Sequence, residues 1–134
     1  MKIAAIDIGS NAFRLAIARV TGKNLEIIYR TRIPFRLGTE AFTQKKFSPE
    51  TMQHTEEVIQ HFKDLMDQEE VQSYRATATS SFRDAANASD LVARIEKSSG
   101  VKIRVIDGLT EANTILCGVE HAENLKKKNV LLVD

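Results

Sequence analysis

Three places in this sequence combine polar groups in ways that could bind or cleave a phosphate. The first is "AIDIGSNAFRL", residues 5–15, where a short apolar run stops at Asp7, Gly9, Ser10 and Asn11 and an alternating pattern resumes at once. Glycine permits backbone conformations that other residues resist, and Ser10 and Asn11 bring a hydroxyl and an amide. Backbone N–H groups converging in such a turn form a concave anion site suited to phosphate. Asp7, at the end of the apolar run, is placed to hold Mg²⁺ beside that phosphate. An ordinary hairpin turn with small residues is the competing reading. No lysine completes a P-loop and no helix follows directly, so neither a Walker A motif nor a dinucleotide site fits.

The second place is "ATATSSFRDAANA", residues 76–88, in which Arg83 follows a serine-rich turn. Arg83 could present its guanidinium fork to phosphate oxygens, or serve as a surface cation near Asp84. Thr79, Ser80 and Ser81 could add hydrogen bonds or simply cap the helix that follows. The third is Glu111, in the first turn of a predicted helix. A positioned carboxylate can accept a proton or orient a water, yet acids are common in first turns for the helix dipole alone.

Other candidates carry less. Arg30, Arg32 and Arg36 share one parity of an alternating stretch and could guide a polyanion. Arginines on an edge strand also deter aggregation, the preferred reading for Arg30 and Arg32. His54 and His61 are seven residues apart with Glu57 between them, and lack the spacing of four that a helical metal pair uses. The run Lys126, Lys127 and Lys128 reads as a solvated loop. Cys117, beside Ile115, Leu116 and Val119, is expected to be a small buried hydrophobe.

These residues need elements to position them. Residues 2–8 read as a buried strand, and 14–20 and 25–37 as two more joined by the turn "TGKN". Too few residues separate the first two strands for a parallel crossover, so an antiparallel hairpin is expected. Pro34 argues for an edge or a bulge in the third. Ser48 is a good N-cap, Pro49 fits the first helical position, and Met52, Val58, Ile59, Phe62, Leu65 and Met66 follow at helical spacing. Beyond this helix come a strand over 71–79, a polar turn and helix ending near Gly100, a strand over 101–107, a helix over 108–122 and a strand over 129–134. An antiparallel meander followed by alternating helices and strands predicts a mixed α/β sheet covered by helices.

The totals narrow the partners. The 134 residues suit one domain with a real core, and 43% hydrophobic against 28% charged content is that of a globular chain. A net charge of +1 gives no global attraction to DNA or to an anionic membrane, so neither is expected as a partner. The single cysteine cannot form an internal disulfide, which points to a reducing cytoplasm. The N-terminal apolar run is too short for a signal peptide or membrane span. The sequence finishes on Asp134 directly after apolar strand residues, so a cut end and a longer parent protein are expected.

Taken in order, "IDIGSNAFRL", "FRLG", "ATATSSFRDAANA", "IDGLTEANTILCGV" and "VLLVD" resemble the motifs of the exopolyphosphatase and guanosine pentaphosphate phosphohydrolase family. That family lies in the actin, sugar kinase and Hsp70 superfamily. The resemblance spans essentially the whole chain. It implies an RNase H-like, actin-like ATPase fold with a mixed five-stranded sheet. It also implies Mg²⁺-assisted hydrolysis of a terminal phosphoanhydride in polyphosphate or guanosine pentaphosphate. Glu111 matches the catalytic glutamate, Gly9, Ser10, Asn11 and Arg83 the phosphate-binding groups, and Asp7 with Asp134 the metal-binding acids. In such a superfamily the site lies between two domains. This chain would then be the N-terminal wall, with little turnover alone, its partner a C-terminal domain of the same parent and the parent a homodimer. Two departures bear on substrate choice: Thr110 stands where family members often carry an acid, and Ala12 where serine is common. A polyphosphate or guanosine pentaphosphate sensor without hydrolysis, and phosphotransfer to an acceptor, are the competing functions.

Overall fold

The computed structural model describes residues 1–122. Strands β1 (Lys2–Ile8), β2 (Ala12–Thr21) and β3 (Asn24–Pro34) form the predicted meander. Helices α1 (Leu37–Gln44) and α2 (Pro49–Gln68) lead to β4 (Ser73–Ala78). Then come α3 (Ser80–Asp84), α4 (Ala88–Ser99), β5 (Ile103–Val105) and α5 (Gly108–Ala122). The five strands lie in the order β3-β2-β1-β4-β5, with β1 antiparallel to β2 and parallel to β4. This is the mixed five-stranded sheet expected.

Alternation explains the central hairpin. Ala4, Ile6 and Ile8 of β1 and Phe13, Leu15 and Ile17 of β2 are buried, and they join Ile59 and Phe62 of α2 and Leu91 and Ile95 of α4 in one core cluster. The opposite parity, with Asp7 and Arg14, faces away from that core. α2 begins as predicted: Ser48 Oγ accepts from the Thr51 amide and Pro49 occupies the first turn. Gly22 and Gly100 adopt positive φ, in the hairpin turn and at the end of α4 respectively. Among the described residues no helix is long and apolar enough to cross a membrane.

Several expectations need correction. The third strand stops at Pro34 and not at Leu37, because Pro34 is at the sheet edge and Leu37 opens α1, where Leu37, Gly38 and Ala41 are buried. Phe35 then stacks on Phe13 with ring centroids 4.7 Å apart. The serine-rich segment contains a short helix of its own, α3. Cys117 is exposed, since no residue of α5 is buried. Gly9 does not have positive φ, so it is not the left-handed conformation that demands glycine there. The strand expected over 129–134, the lysine run at 126–128 and Asp134 lie outside the described residues.

Two polar clamps hold α1 and the α1–α2 connection. Asn87 Oδ1 accepts from the Phe47 amide and Nδ2 donates to the Phe47 carbonyl, both at 2.9 Å. Asn87→Ala leaves both main-chain groups unpaired beside a buried ring, so the chain should lose about 2 kcal/mol of stability. A lowered denaturant midpoint with unchanged slope is the expected reading.

Glu40 accepts from the Ser48 amide at 2.8 Å and from the hydroxyls of Ser48 and Thr51, each at 2.9 Å. Burial alone raises its carboxyl, but these bonds more than reverse that and hold it below the ordinary value. A group lowered on folding stabilises fully above its unfolded value and loses that contribution as pH falls through the folded value. Glu40→Gln should therefore lower the melting temperature at pH 7, and the gap to the unsubstituted chain should close below about pH 4. A gap independent of pH would contradict the ionised cluster.

Candidate active site

The β1–β2 turn is held from behind. Its Gly9 amide donates to the Ala12 carbonyl at 3.1 Å, closing the hairpin. The Ser10 carbonyl accepts from Gly38 at 2.9 Å and the Asn11 carbonyl from Phe35 at 3.0 Å. The carbonyls thus point toward the β3–α1 connection. Among the described residues the amides of Ser10 and Asn11 meet no protein acceptor. Space, not φ, favours glycine at both positions. A Cβ on Gly9 would lie 3.1 Å from the Ala12 carbonyl oxygen, and one on Gly38 would lie 3.1 Å from Ser10 Cβ.

The parallel pairing of β1 with β4 brings the second polar segment to the same place. Ser10 Oγ shares a hydrogen bond with Ser80 Oγ at 2.7 Å and accepts another from the buried Ser81 Oγ at 2.7 Å. Asp7, two residues before Gly9, is bonded through Oδ2 to Arg14 Nη1 at 2.9 Å. Both side chains are about half exposed, 44% and 53%, so the pair is weak and can yield to a ligand.

Glu111 enters from the first turn of α5. Its Oε2 accepts from Arg83 Nη1 at 3.1 Å, and the same nitrogen donates to the Ile106 carbonyl at 2.6 Å. Arg83 therefore ties α3 to the start of α5, and any phosphate contact falls to its remaining nitrogens. Asp107 caps α5: its carboxylate accepts from the Thr110 amide at 2.7 Å, and its carbonyl from the Glu111 amide at 2.9 Å. The Thr110 amide, with the Thr110 hydroxyl, holds the Asp107 carboxyl below its usual range.

A cavity of about 740 Å³ opens between these parts, lined among others by Asp7, Ser10, Asn11, Arg14, Ser80 and Glu111. The structure thus brings Asp7, the Gly9–Asn11 turn and Glu111 to one cavity. Arg83 does not line it but holds Glu111. Ser80 is one of the hydroxyls named from the sequence; Arg14 and Asp107 were not singled out there. The spacing of Asp107 three residues before Thr110, an N-cap signature, was available to find the last of them. His54 and His61 are exposed, His54 against the Phe35 ring. Among the described residues no cluster of three or more His, Cys, Asp or Glu could hold a metal by itself.

A family model described as the Ppx/GppA phosphatase family matches residues 16–134. The chain belongs to that family. The matched span begins after the β1–β2 turn, so Asp7 and residues 9–11 stand on their geometry. Solved structures agree. A Ppx/GppA family member from Aquifex aeolicus is 29% identical, with a TM-score of 0.87 over 92% of this chain and 40% of that one. An exopolyphosphatase from Cytophaga hutchinsonii is also 29% identical, with a TM-score of 0.86 over 90% of this chain and 39% of its own. A nucleoside triphosphate hydrolase from Neospora caninum, 15% identical with a TM-score of 0.57 over 90% of this chain and 31% of its own, shares the fold. The chain spans about two fifths of the length of the first two structures. The family's fold is the RNase H-like, actin-like one expected, and its description as a phosphatase family matches the phosphate chemistry read from the motifs.

Proposed function

We propose that these residues form the N-terminal wall of a phosphohydrolase site in a protein of the family's full dimensions. The reaction is hydrolysis of the terminal phosphoanhydride of inorganic polyphosphate or guanosine pentaphosphate. The observation that carries the reading is the shared cavity, lined by a carboxylate fixed by an arginine and by a turn whose Ser10 and Asn11 amides meet no protein acceptor among the described residues. The exopolyphosphatase from Cytophaga hutchinsonii supports polyphosphate as the substrate. The cytoplasmic setting belongs to the same proposal.

In this reading the Ser10 and Asn11 amides, with the Ser10 and Ser80 hydroxyls, hold the terminal phosphate oxygens. Glu111 orients a water and takes its proton as the water oxygen bonds to the terminal phosphorus. The bond from that phosphorus to the bridging oxygen breaks, orthophosphate leaves, and the bridging oxygen stays on the shortened chain. Arg83 keeps the Glu111 carboxylate in place.

The donor set fits Mg²⁺. Asp7 and Glu111 offer oxygen ligands without His or Cys, and a hard ion that keeps several waters needs only one or two carboxylates plus phosphate oxygens. Asp7 would hold the ion, with Asp134 proposed as its second acid. When bound, Mg²⁺ neutralises phosphate charge in the transition state.

Phosphate release should be followed with Mg²⁺ on long-chain polyphosphate and guanosine pentaphosphate side by side, for the full-length protein and for this chain. Release by the full-length protein without any acceptor, and little by this chain, is the expected result. A requirement for a second substrate would make it a phosphotransferase. Binding without release from either would make it a sensor.

A further inference from the structure

The β1–β2 turn is aimed from α1. The Ser10 carbonyl accepts from the Gly38 amide at 2.9 Å, and the Asn11 carbonyl from the Phe35 amide at 3.0 Å. In a planar trans peptide the C=O of one residue and the N–H of the next point in opposite directions. The described peptide bonds are all trans. A Ser10 carbonyl drawn toward Gly38 therefore turns the Asn11 N–H away from α1, and Asn11 lines the cavity. Gly38 lies in the first turn of α1, so its amide has no acceptor within the helix and is free to make this bond.

The approach leaves little room at Gly38. Its φ is not positive, so its backbone would accept alanine. A Cβ there would nonetheless lie 3.1 Å from Ser10 Cβ and 2.9 Å from Phe42 Cε2. The Phe42 ring is about half exposed and can swing outward. Ser10 is less free, because its Oγ is bonded at 2.7 Å to Ser80 and at 2.7 Å to the buried Ser81. Nor can α1 retreat. Leu37 and Ala41 of the same helix are buried, and Glu40 is bonded to Ser48 and Thr51. Just past the end of α1, the Lys45 carbonyl accepts from the Ala86 amide at 2.7 Å. An added methyl would therefore push the β1–β2 turn by a few tenths of an ångström.

We infer that Gly38 is a positioning residue for the phosphate: through the Ser10 carbonyl it sets the direction of the Asn11 N–H, and its missing side chain lets α1 come close enough to do so. The inference rests on the phosphate reading of the turn and adds the element that orders it. A hydrogen bond weakens as its N–H···O angle bends, so a small rotation of the Ser10–Asn11 peptide costs affinity although Gly38 touches no ligand. Packing of α1 is the competing role for this glycine, and the two roles differ in what alanine does. Alanine is the better helix former, so α1 itself loses nothing by the substitution. A packing role leaves binding unchanged wherever the fold is intact. A positioning role lowers affinity in a chain of undiminished stability.

The test is calorimetric titration with tripolyphosphate and Mg²⁺ of this chain, Gly38→Ala, Phe42→Ala and Gly38→Ala/Phe42→Ala. Gly38→Ala should weaken binding about tenfold, the worth of one misdirected charge-assisted hydrogen bond, with an unchanged or higher melting temperature. Removing the Phe42 ring relieves the contact with that ring but not the one with Ser10. The double variant should therefore stay about tenfold weaker than Phe42→Ala alone, and it stands in for the single variant should that one not fold. In the unligated chain the Asn11 amide signal should move in Gly38→Ala, with a weaker coupling across the Gly38–Ser10 hydrogen bond. Affinity within about twofold of the unsubstituted chain, or full recovery in the double variant, would overturn the positioning role alone. No binding of tripolyphosphate by the unsubstituted chain would defeat the phosphate reading of the turn, and this role with it. Binding that Gly38→Ala weakens, without phosphate release by the full-length protein, would defeat the hydrolase reading alone.

Discussion

Glu111→Gln is expected to lower phosphate release by the full-length protein roughly 10²–10⁴-fold, with little change in the KM for polyphosphate. Glutamine keeps the shape of the side chain, and its carbonyl oxygen can still accept from Arg83 Nη1, now 3.1 Å from the carboxylate. What it loses is the ability to take a proton from water. The Glu111 side chain is about a quarter exposed, so the substitution leaves no buried charge behind. A kcat that falls while KM holds would put the carboxylate in the chemical step. An unchanged rate would reduce Glu111 to a partner for Arg83.

Arg83→Met is expected to cost about 10²-fold in kcat/KM through loss of alignment. Its Nη1 serves two acceptors at once, the Glu111 carboxylate and the Ile106 carbonyl at 2.6 Å, so one side chain fixes both the acid and the entry to α5. Lysine lacks the planar fork and should rescue only in part. The double variant with Glu111→Gln decides between two roles. If Arg83 acts by holding Glu111, the double variant is no slower than Glu111→Gln alone. If Arg83 binds phosphate independently, the two losses multiply.

Local patterns made much of this fold legible. The apolar parity of β1 and β2 and the short turn between them fix the hairpin, and Ser48 with Pro49 fixes the start of α2. The hairpin register even contains the Asp7–Arg14 pair, since closing the turn at Gly9 and Ala12 sets Asp7 opposite Arg14. α1 was hidden because Phe35 and Leu37 continue the strand parity past Pro34, though only Phe35 packs near the strand and Leu37 is already helical. Cys117 misled because its apolar neighbours suggested a core face, whereas α5 buries none of its described residues. The contacts that assemble the site are nonlocal. Ser10 meets Ser80 across 70 positions, and Arg83 meets Glu111 across 28. They exist only because β4 lies parallel to β1 and β5 parallel to β4, an alignment no short-range pattern encodes. The family resemblance pointed to the residues; the sheet explains why they meet.

The most direct test of the shared cavity is an amide NMR titration of this chain with tripolyphosphate and Mg²⁺. The account predicts shifts concentrated at Ser10 and Asn11, at Ser80 and Ser81, and in the first turn of α5 around Glu111. Shifts confined to the outer surface of α2 and α4, or no saturable shift in the β1–β2 turn, would contradict it.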